Sequence, residues 1–137
     1  IRIVCGGTTS QIVANHLHEK VETDLNYIDS ELPPIGFIKG IDLTTEGVIT
    51  LRRLIELAEE YLRTDSDVPK NFMKKDGASL IANFLFEEAT SVNFFVGQAV
   101  NEAHSDLPIN STLKFKLVDT LSKNLEQMGK KISIKYY

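Results

Sequence analysis

The fold is decided first by the opening stretch, Ile1-Arg2-Ile3-Val4-Cys5-Gly6-Gly7. Its first five residues are mostly β-branched or apolar and predict a strand, which the two glycines end in a turn. Ile12, Val13 and Leu17 then fall at helical spacing, so we expect a helix soon after the turn. A strand, a turn and a helix in this order begin a parallel βαβ unit.

The rest of the chain repeats this alternation. Helices are predicted after Gly47, from Asp76 to Ala89, and from a cap at Ser111 to a stop at Gly129. Strands are predicted over 38–43, 92–96 and 132–136, with a weaker pattern over 21–27. The segment 92–96 is nearly apolar on both faces, as in a central strand, whereas 132–136 alternates like an edge strand. We therefore predict an α/β fold of three layers, with a mostly parallel sheet of four or five strands flanked by helices.

Length and charge restrict the class of protein. The 137 residues suffice for one α/β domain spanning 1–137. Because a strand begins at residue 1 without an initiator methionine, we expect the chain to be a fragment of a larger protein with further sequence upstream. The formal charge is −4, and the lysines cluster only in pairs such as Lys74-Lys75. This balance argues against nucleic acid as a partner.

Apolar runs and cysteine usage predict a cytoplasmic protein. The longest apolar runs, such as Phe94-Phe95-Val96, are too short to cross a membrane, so we expect no membrane partner. Cys5 is the single cysteine and cannot form an internal disulfide. Its apolar neighbours favour a buried thiol in a reducing compartment over a reactive thiol.

Small polar loops follow several predicted strands, at the positions where open parallel sheets bind ligands. The first loop, Gly6-Gly7-Thr8-Thr9-Ser10, combines accessible backbone amides with three hydroxyl groups and suits a phosphate or a carboxylate. It lacks the lysine of a P-loop and the third glycine of a dinucleotide fingerprint. The other candidate ligand-binding residues are Glu46, Asp76, Gly77, Asn101 and His104. Together they predict a site for a small anionic ligand.

Each candidate residue also has a structural alternative. The first loop can be a plain strand-to-helix turn, Glu46 can stabilise a helix dipole, and Asp76 can cap a helix. His104 is the best-placed group for acid–base chemistry, yet a loop histidine without a catalytic role is the more common case. His16 and His18 are two residues apart on one predicted helix and face different sides. We therefore expect no metal site and no cofactor.

Three stretches carry a resemblance: Val4 to Val13, Gly40 to Gly47 and Asn93 to Asn101. In order and spacing they resemble the region that follows the phosphatase core in bacterial sporulation stage II protein E (SpoIIE) serine phosphatases. The resemblance implies an upstream phosphatase domain in the same chain, which would make residues 1–137 the C-terminal fragment of the larger protein. That family's catalysis uses aspartates in Asp-Gly motifs that hold two metal ions. Asp76-Gly77 is the single Asp-Gly pair here and lacks the companion acidic motifs, so no metal-binding role is transferred to it.

Three functional hypotheses follow. The first is a regulatory or ligand-binding module appended to a SpoIIE-type phosphatase, with the candidate residues lining one site. The second is a small independent enzyme acting on a phosphorylated or carboxylated metabolite, with His104 or Glu46 as the acid or base. The third is a structural module that forms a homodimer, for which an exposed apolar patch or a paired edge strand at Lys131 to Tyr137 would be the sign.

Overall fold

The computed structural model describes residues 1–23, 35–64, 76–98 and 109–137. The strands are β1 (Ile3–Cys5), β2 (Glu22–Thr23), β3 (Gly36–Phe37), β4 (Leu43–Thr45), β5 (Ser91–Val96) and β6 (Lys131–Tyr136). The helices are α1 (Gly7–Leu17), α2 (Val48–Arg63), α3 (Gly77–Ala82) and α4 (Ile109–Gln127). A π-helical segment, Asn83–Glu88, continues α3. Mixed helix and strand confirm the α/β class.

The described strands form two sheets. The first has the order β1-β4-β3-β2, in which β1 and β4 are parallel and the other two pairs are antiparallel. The second is the parallel pair β5 and β6. The expectation of one mostly parallel sheet in three layers is therefore not confirmed.

The strand predicted over 38–43 is wrong, because a turn divides this segment. Gly40 has φ +92, and the Ile41 amide donates a 3.0 Å hydrogen bond to the Ile38 carbonyl oxygen. The turn separates β3 from β4 and makes them antiparallel. Apolar alternation over a few residues does not distinguish a continuous strand from a strand end followed by a turn.

One hydrophobic cluster joins the two sheets through the helices. Leu54 and Leu57 of α2 and Leu121 and Leu125 of α4 are at most 1% exposed. The first sheet contributes Leu43 to the same cluster, and the second contributes Val96. Val4, Ala14 and Ile38 are also buried, but they are not members of this cluster. The carboxyl ends of β1 and β4 are thus supported by a core built mainly from α2, α4 and α3 with its π-helical continuation.

The expectation that residues 92–96 form a buried central strand is also wrong. Along β5, exposed residues alternate with partly buried ones, and Phe95 is 68% exposed. Val92 and Phe94 pack against the core on the opposite face. The edge-strand prediction for 132–136 is confirmed, since Ile132 and Ile134 pack inward while the lysines and Ser133 of β6 are exposed.

The helix ends agree in part with the predicted signals. Asp76 caps α3 through its side chain, and Gly129 has φ +87 just beyond the end of α4. Helix α4 begins at Ile109, so Ser111 lies inside the helix and is not its cap. The predicted helix from Asp76 to Ala89 corresponds to α3 with its π-helical continuation.

Candidate functional site

The turns that follow β1 and β4 are in direct contact. The strands are parallel with Cys5 opposite Thr45, so their carboxyl ends lie side by side. The Gly6 amide donates a 2.8 Å hydrogen bond to the Thr45 carbonyl oxygen. A Cβ added to Gly47 would lie 3.3 Å from the Gly6 Cα. We call this contact of Gly6 with Gly47 the glycine junction; it holds the beginnings of α1 and α2 next to each other.

Helix α1 begins at the glycine junction without a side-chain cap. Its N-cap, Gly6, has φ 111, and the first turn contains no acidic residue. Gly7, Thr8 and Thr9 are exposed. The amides of these three residues precede the first intrahelical hydrogen bond, which joins the Ser10 amide to the Gly6 carbonyl oxygen at 2.9 Å. This helix start presents amide donors to solvent.

Ser10 differs from the rest of the first loop. It is 3% exposed, and its hydroxyl donates a 2.8 Å hydrogen bond to the Gly6 carbonyl oxygen. The hydroxyl is therefore engaged in holding the turn and lies away from solvent. Of the loop residues predicted to bind a ligand, Gly6, Gly7, Thr8 and Thr9 keep atoms at the surface.

Helix α2 begins on the other side of the junction and is already capped. Glu46 Oε2 accepts a 2.9 Å hydrogen bond from the Ile49 amide. The carboxylate of Glu46 therefore stabilises the positive end of the α2 dipole, which is the structural role that the sequence analysis gave as the alternative to ligand binding. The two neighbouring helix starts differ, because the carboxylate of Glu46, just before α2, accepts a hydrogen bond from the Ile49 amide, whereas α1 has no side-chain cap.

The cysteine beside the junction is a poor nucleophile. Burial raises the pKa of the Cys5 thiol above its ordinary value of 9.0; the hydrogen bond from Thr45 opposes this shift, and the negative charge of Glu46 adds to it. Thr45 Oγ1 lies 3.4 Å from the Cys5 sulfur. Because the thiolate is the reactive form, the nearby helix start does not make Cys5 reactive.

Asp76 and Gly77 lie close to the junction but beneath its surface. Asp76 is 2% exposed, and its two carboxylate oxygens accept hydrogen bonds of 2.9 and 2.8 Å from the amide and hydroxyl of Ser79. A Cβ on Gly77 would lie 2.7 Å from Thr45 Cγ2. These two residues support the strand end that carries Glu46, and Asp76 takes the capping role.

Two candidates, Asn101 and His104, fall outside the described residues. The structure brings together the first loop, Glu46 and the Asp76-Gly77 helix start. Within 1–23, 35–64, 76–98 and 109–137, no group of three or more His, Cys, Asp or Glu side chains is placed to hold a metal ion. No helix in these ranges has the length and apolar character needed to span a membrane.

A concavity lies at the other end of α1, at residues that were not predicted to form a site. It is a broadly open depression of about 600 Å³ whose lining includes His18, Lys20, Phe37 and Lys39. His18 takes a left-handed conformation, with φ 57, at the end of α1. Lys39 Nζ lies 3.8 Å from Glu19 Oε1, and the side chain of Lys39 is 86% exposed. These charges are solvated and do not converge on one point.

Comparison of the chain with protein-family models, with curated proteins and with solved structures finds no significant match. The resemblance to the region after the SpoIIE phosphatase core therefore stays a prediction.

Proposed function

We propose that this chain is a regulatory, ligand-binding α/β module of a cytoplasmic SpoIIE-type serine phosphatase, and that it binds a small anion at the start of α1. The observation that supports the anion site is the glycine junction. It fixes an uncapped helix start at the end of β1 and places it beside a helix start that Glu46 already caps. The connection to an upstream phosphatase domain rests on the sequence resemblance.

The donors for such an anion come from one turn of backbone. Gly7, Thr8 and Thr9 are exposed residues at the α1 start, and they carry three backbone amides and two hydroxyls. Backbone amides and the helix dipole there favour a phosphate or carboxylate oxygen. Because the loop contains no lysine or arginine, binding depends on hydrogen bonds more than on paired charges.

Glu46 limits the charge that this site accepts. The junction brings Gly47, the residue after Glu46, next to Gly6, and the Glu46 carboxylate is close enough to raise the pKa of Cys5. Each negative charge on a ligand at the α1 start would therefore be repelled by the Glu46 carboxylate, and a second charge adds to this repulsion. We expect a singly charged oxyanion or carboxylate to bind better than a doubly charged one.

The enzyme hypothesis has less support. The thiol of Cys5 is protonated at neutral pH, and both oxygens of Asp76 are engaged with Ser79. Glu46, which that hypothesis names as a possible acid or base, caps α2. Ser79 and Asp76 do form a hydroxyl–carboxylate pair, but both residues are buried. The dimerisation hypothesis has a specific observation in its favour, the exposed Phe95 and Tyr137 on β5 and beside β6.

The anion site can be tested with a substitution that supplies the charge covalently. Thr8→Glu places a carboxylate in the first turn of α1, where it should raise the melting temperature without any ligand and compete with an added anion. Lys116→Gln is the matched control, because it changes net charge by the same amount at an exposed position on α4. The probe is inorganic phosphate, compared with sodium chloride at equal ionic strength.

We expect the melting temperatures of the unaltered chain and of Lys116→Gln to rise with phosphate and then saturate, while Thr8→Glu shows no saturable rise. Saturation matters because phosphate also stabilises proteins without binding, and that effect keeps increasing with concentration. A saturable rise of equal size in Thr8→Glu would place the anion elsewhere. The absence of any saturable rise would refute the anion site.

A further inference from the structure

The β5 and β6 pair has one face in the core and one face in solvent. The register pairs Ser91 with Lys131, Asn93 with Ser133 and Phe95 with Lys135. These alternate residues are all exposed, whereas the intervening Val92, Phe94, Ile132 and Ile134 pack against the core. We call the exposed side the outer face; it consists of Ser91, Asn93, Phe95, Lys131, Ser133, Lys135 and the adjoining Tyr137. Parallel strands are normally covered on both faces, so this exposure is unusual.

Two aromatic side chains lie together at one end of the outer face. Phe95 is 68% exposed and Tyr137 is 69% exposed, with ring centroids 6.2 Å apart. The backbone around them is fixed, because the Tyr137 amide donates to the Val96 carbonyl oxygen at 2.9 Å and the Gln98 amide donates to the Tyr137 carbonyl oxygen at 2.6 Å. Rigid exposed rings lose little conformational entropy when a partner covers them.

The charges on the outer face have one sign. Lys131 and Lys135 are exposed there, and none of the seven residues is acidic. The whole chain has a formal charge of −4, so the rest of the chain without these two lysines carries −6. A symmetric contact between two copies through this face would bring four lysines to one interface, which like-charge repulsion disfavours. The charge complement of the outer face is a partner with carboxylates.

We infer that the outer face docks a segment of a partner protein in which acidic side chains flank an aromatic or aliphatic one. The carboxylates face Lys131 and Lys135, and the apolar side chain covers Phe95 and Tyr137. Aromatic anchors with charged neighbours are a common composition for such contacts. This site is separate from the α1 start, and it stands even if no anion binds there.

The experiment uses a fluorescently labelled random copolymer of glutamate and tyrosine as the probe, with polyglutamate as the probe that lacks an apolar group. Binding to the chain is measured by fluorescence anisotropy. The first variant is Lys131→Glu with Lys135→Glu, and its matched control is Lys39→Glu with Lys116→Glu, which makes the same change in charge at exposed positions outside the outer face. Phe95→Thr removes the ring while keeping a residue that suits a strand.

We expect the outer-face lysine variant to weaken copolymer binding by about tenfold or more, and the control pair to weaken it by much less. Phe95→Thr should reduce copolymer affinity to that of polyglutamate, since the ring contact is the difference between the two probes. Added salt should weaken the binding of both probes, because it screens the attraction between their carboxylates and the lysines. Circular dichroism checks that each variant is folded, and these exposed substitutions should leave it unchanged.

Three results would overturn the inference. Equal loss in the outer-face variant and the control pair would show attraction by overall charge alone. Equal affinity for the glutamate–tyrosine copolymer and for polyglutamate, in both the unaltered chain and Phe95→Thr, would show that the rings make no contact. A dimer in sedimentation experiments that Phe95→Thr disrupts would assign the outer face to a second copy of the chain.

Discussion

A β-carbon placed on Gly77 would lie 2.7 Å from Cγ2 of Thr45, closer than such contacts occur between real side chains. Thr45 is 3% exposed and belongs to β4, so its methyl group has little room to move. The first residue of α3 is therefore seated directly on the strand end that leads to Glu46 and Gly47. This close approach, and not a need for unusual backbone angles, accounts for the glycine.

Gly77→Ala should lower the free energy of unfolding by about 1–3 kcal/mol, the usual cost of forcing extra volume into a packed site. The direction is informative, because alanine is otherwise favoured over glycine inside a helix. Gly7→Ala is the matched control, since Gly7 is also the first residue of a helix and nothing lies within 4 Å of its added Cβ. Urea denaturation measures the free energy of unfolding of both variants. Equal stability of the two variants would contradict the close contact.

The features of the fold that could be predicted from the sequence are those set by residues close together in the chain. The strand and turn at Gly6, the cap at Asp76 and the stop at Gly129 were recognisable because each needs a particular residue type at a helix end. That the first loop lies beside the turn containing Glu46 was also predictable, because both turns follow strands that were expected to be parallel.

Features that depend on pairing between distant segments were not predictable. The apolar character of residues 92–96 did not reveal that Phe95 faces solvent, because solvent exposure is set by which strand lies beside β5 and what covers it. In the same way, the sequence did not show that Ser10 turns inward to Gly6 or that Asp76 is buried against Ser79. The sequence analysis therefore included residues in the candidate site, Ser10 and Asp76, that the structure buries.

The Asp76 cap should contribute strongly to stability. Its carboxylate accepts two hydrogen bonds from Ser79 in a buried position, so Asp76→Ala leaves an amide and a hydroxyl without their partner. We expect a loss of about 1–3 kcal/mol in the free energy of unfolding. Ser79→Ala removes only the hydroxyl bond and should cost less. The prediction fails if chemical denaturation ranks Ser79→Ala as the more destabilised variant.

Thr50 is a position at which a substitution should raise the stability of the fold. It is fully buried in the first turn of α2, and among the described residues its hydroxyl oxygen has no hydrogen-bond partner. Thr50→Val keeps the shape and removes the desolvation cost of the hydroxyl, so stability should rise by up to about 1 kcal/mol. Thr120→Val is the comparison, because that hydroxyl donates to the Lys116 carbonyl oxygen. A clear loss of stability in Thr50→Val would show that the hydroxyl has a partner.

Cys5 should make the fold sensitive to alkaline pH. Its pKa in the folded chain lies above 9.0, chiefly because of burial, so the folded state keeps the thiol proton after the unfolded state has lost it. Stability from this group is thus complete below pH 9.0 and declines as pH rises from there through the folded pKa. Cys5→Ser has no thiol to ionise and should lose less stability between about pH 8 and about pH 10.

The measurement is the free energy of unfolding of both chains at the two pH values, because other groups that titrate in this range affect them equally. Glu46→Gln sharpens the test, since the negative charge of Glu46 raises the pKa of Cys5. Removing that charge should lower the folded pKa and make the alkaline loss due to Cys5 smaller. Identical pH dependence in the unaltered chain and Cys5→Ser would mean that the thiol is not desolvated in the folded state.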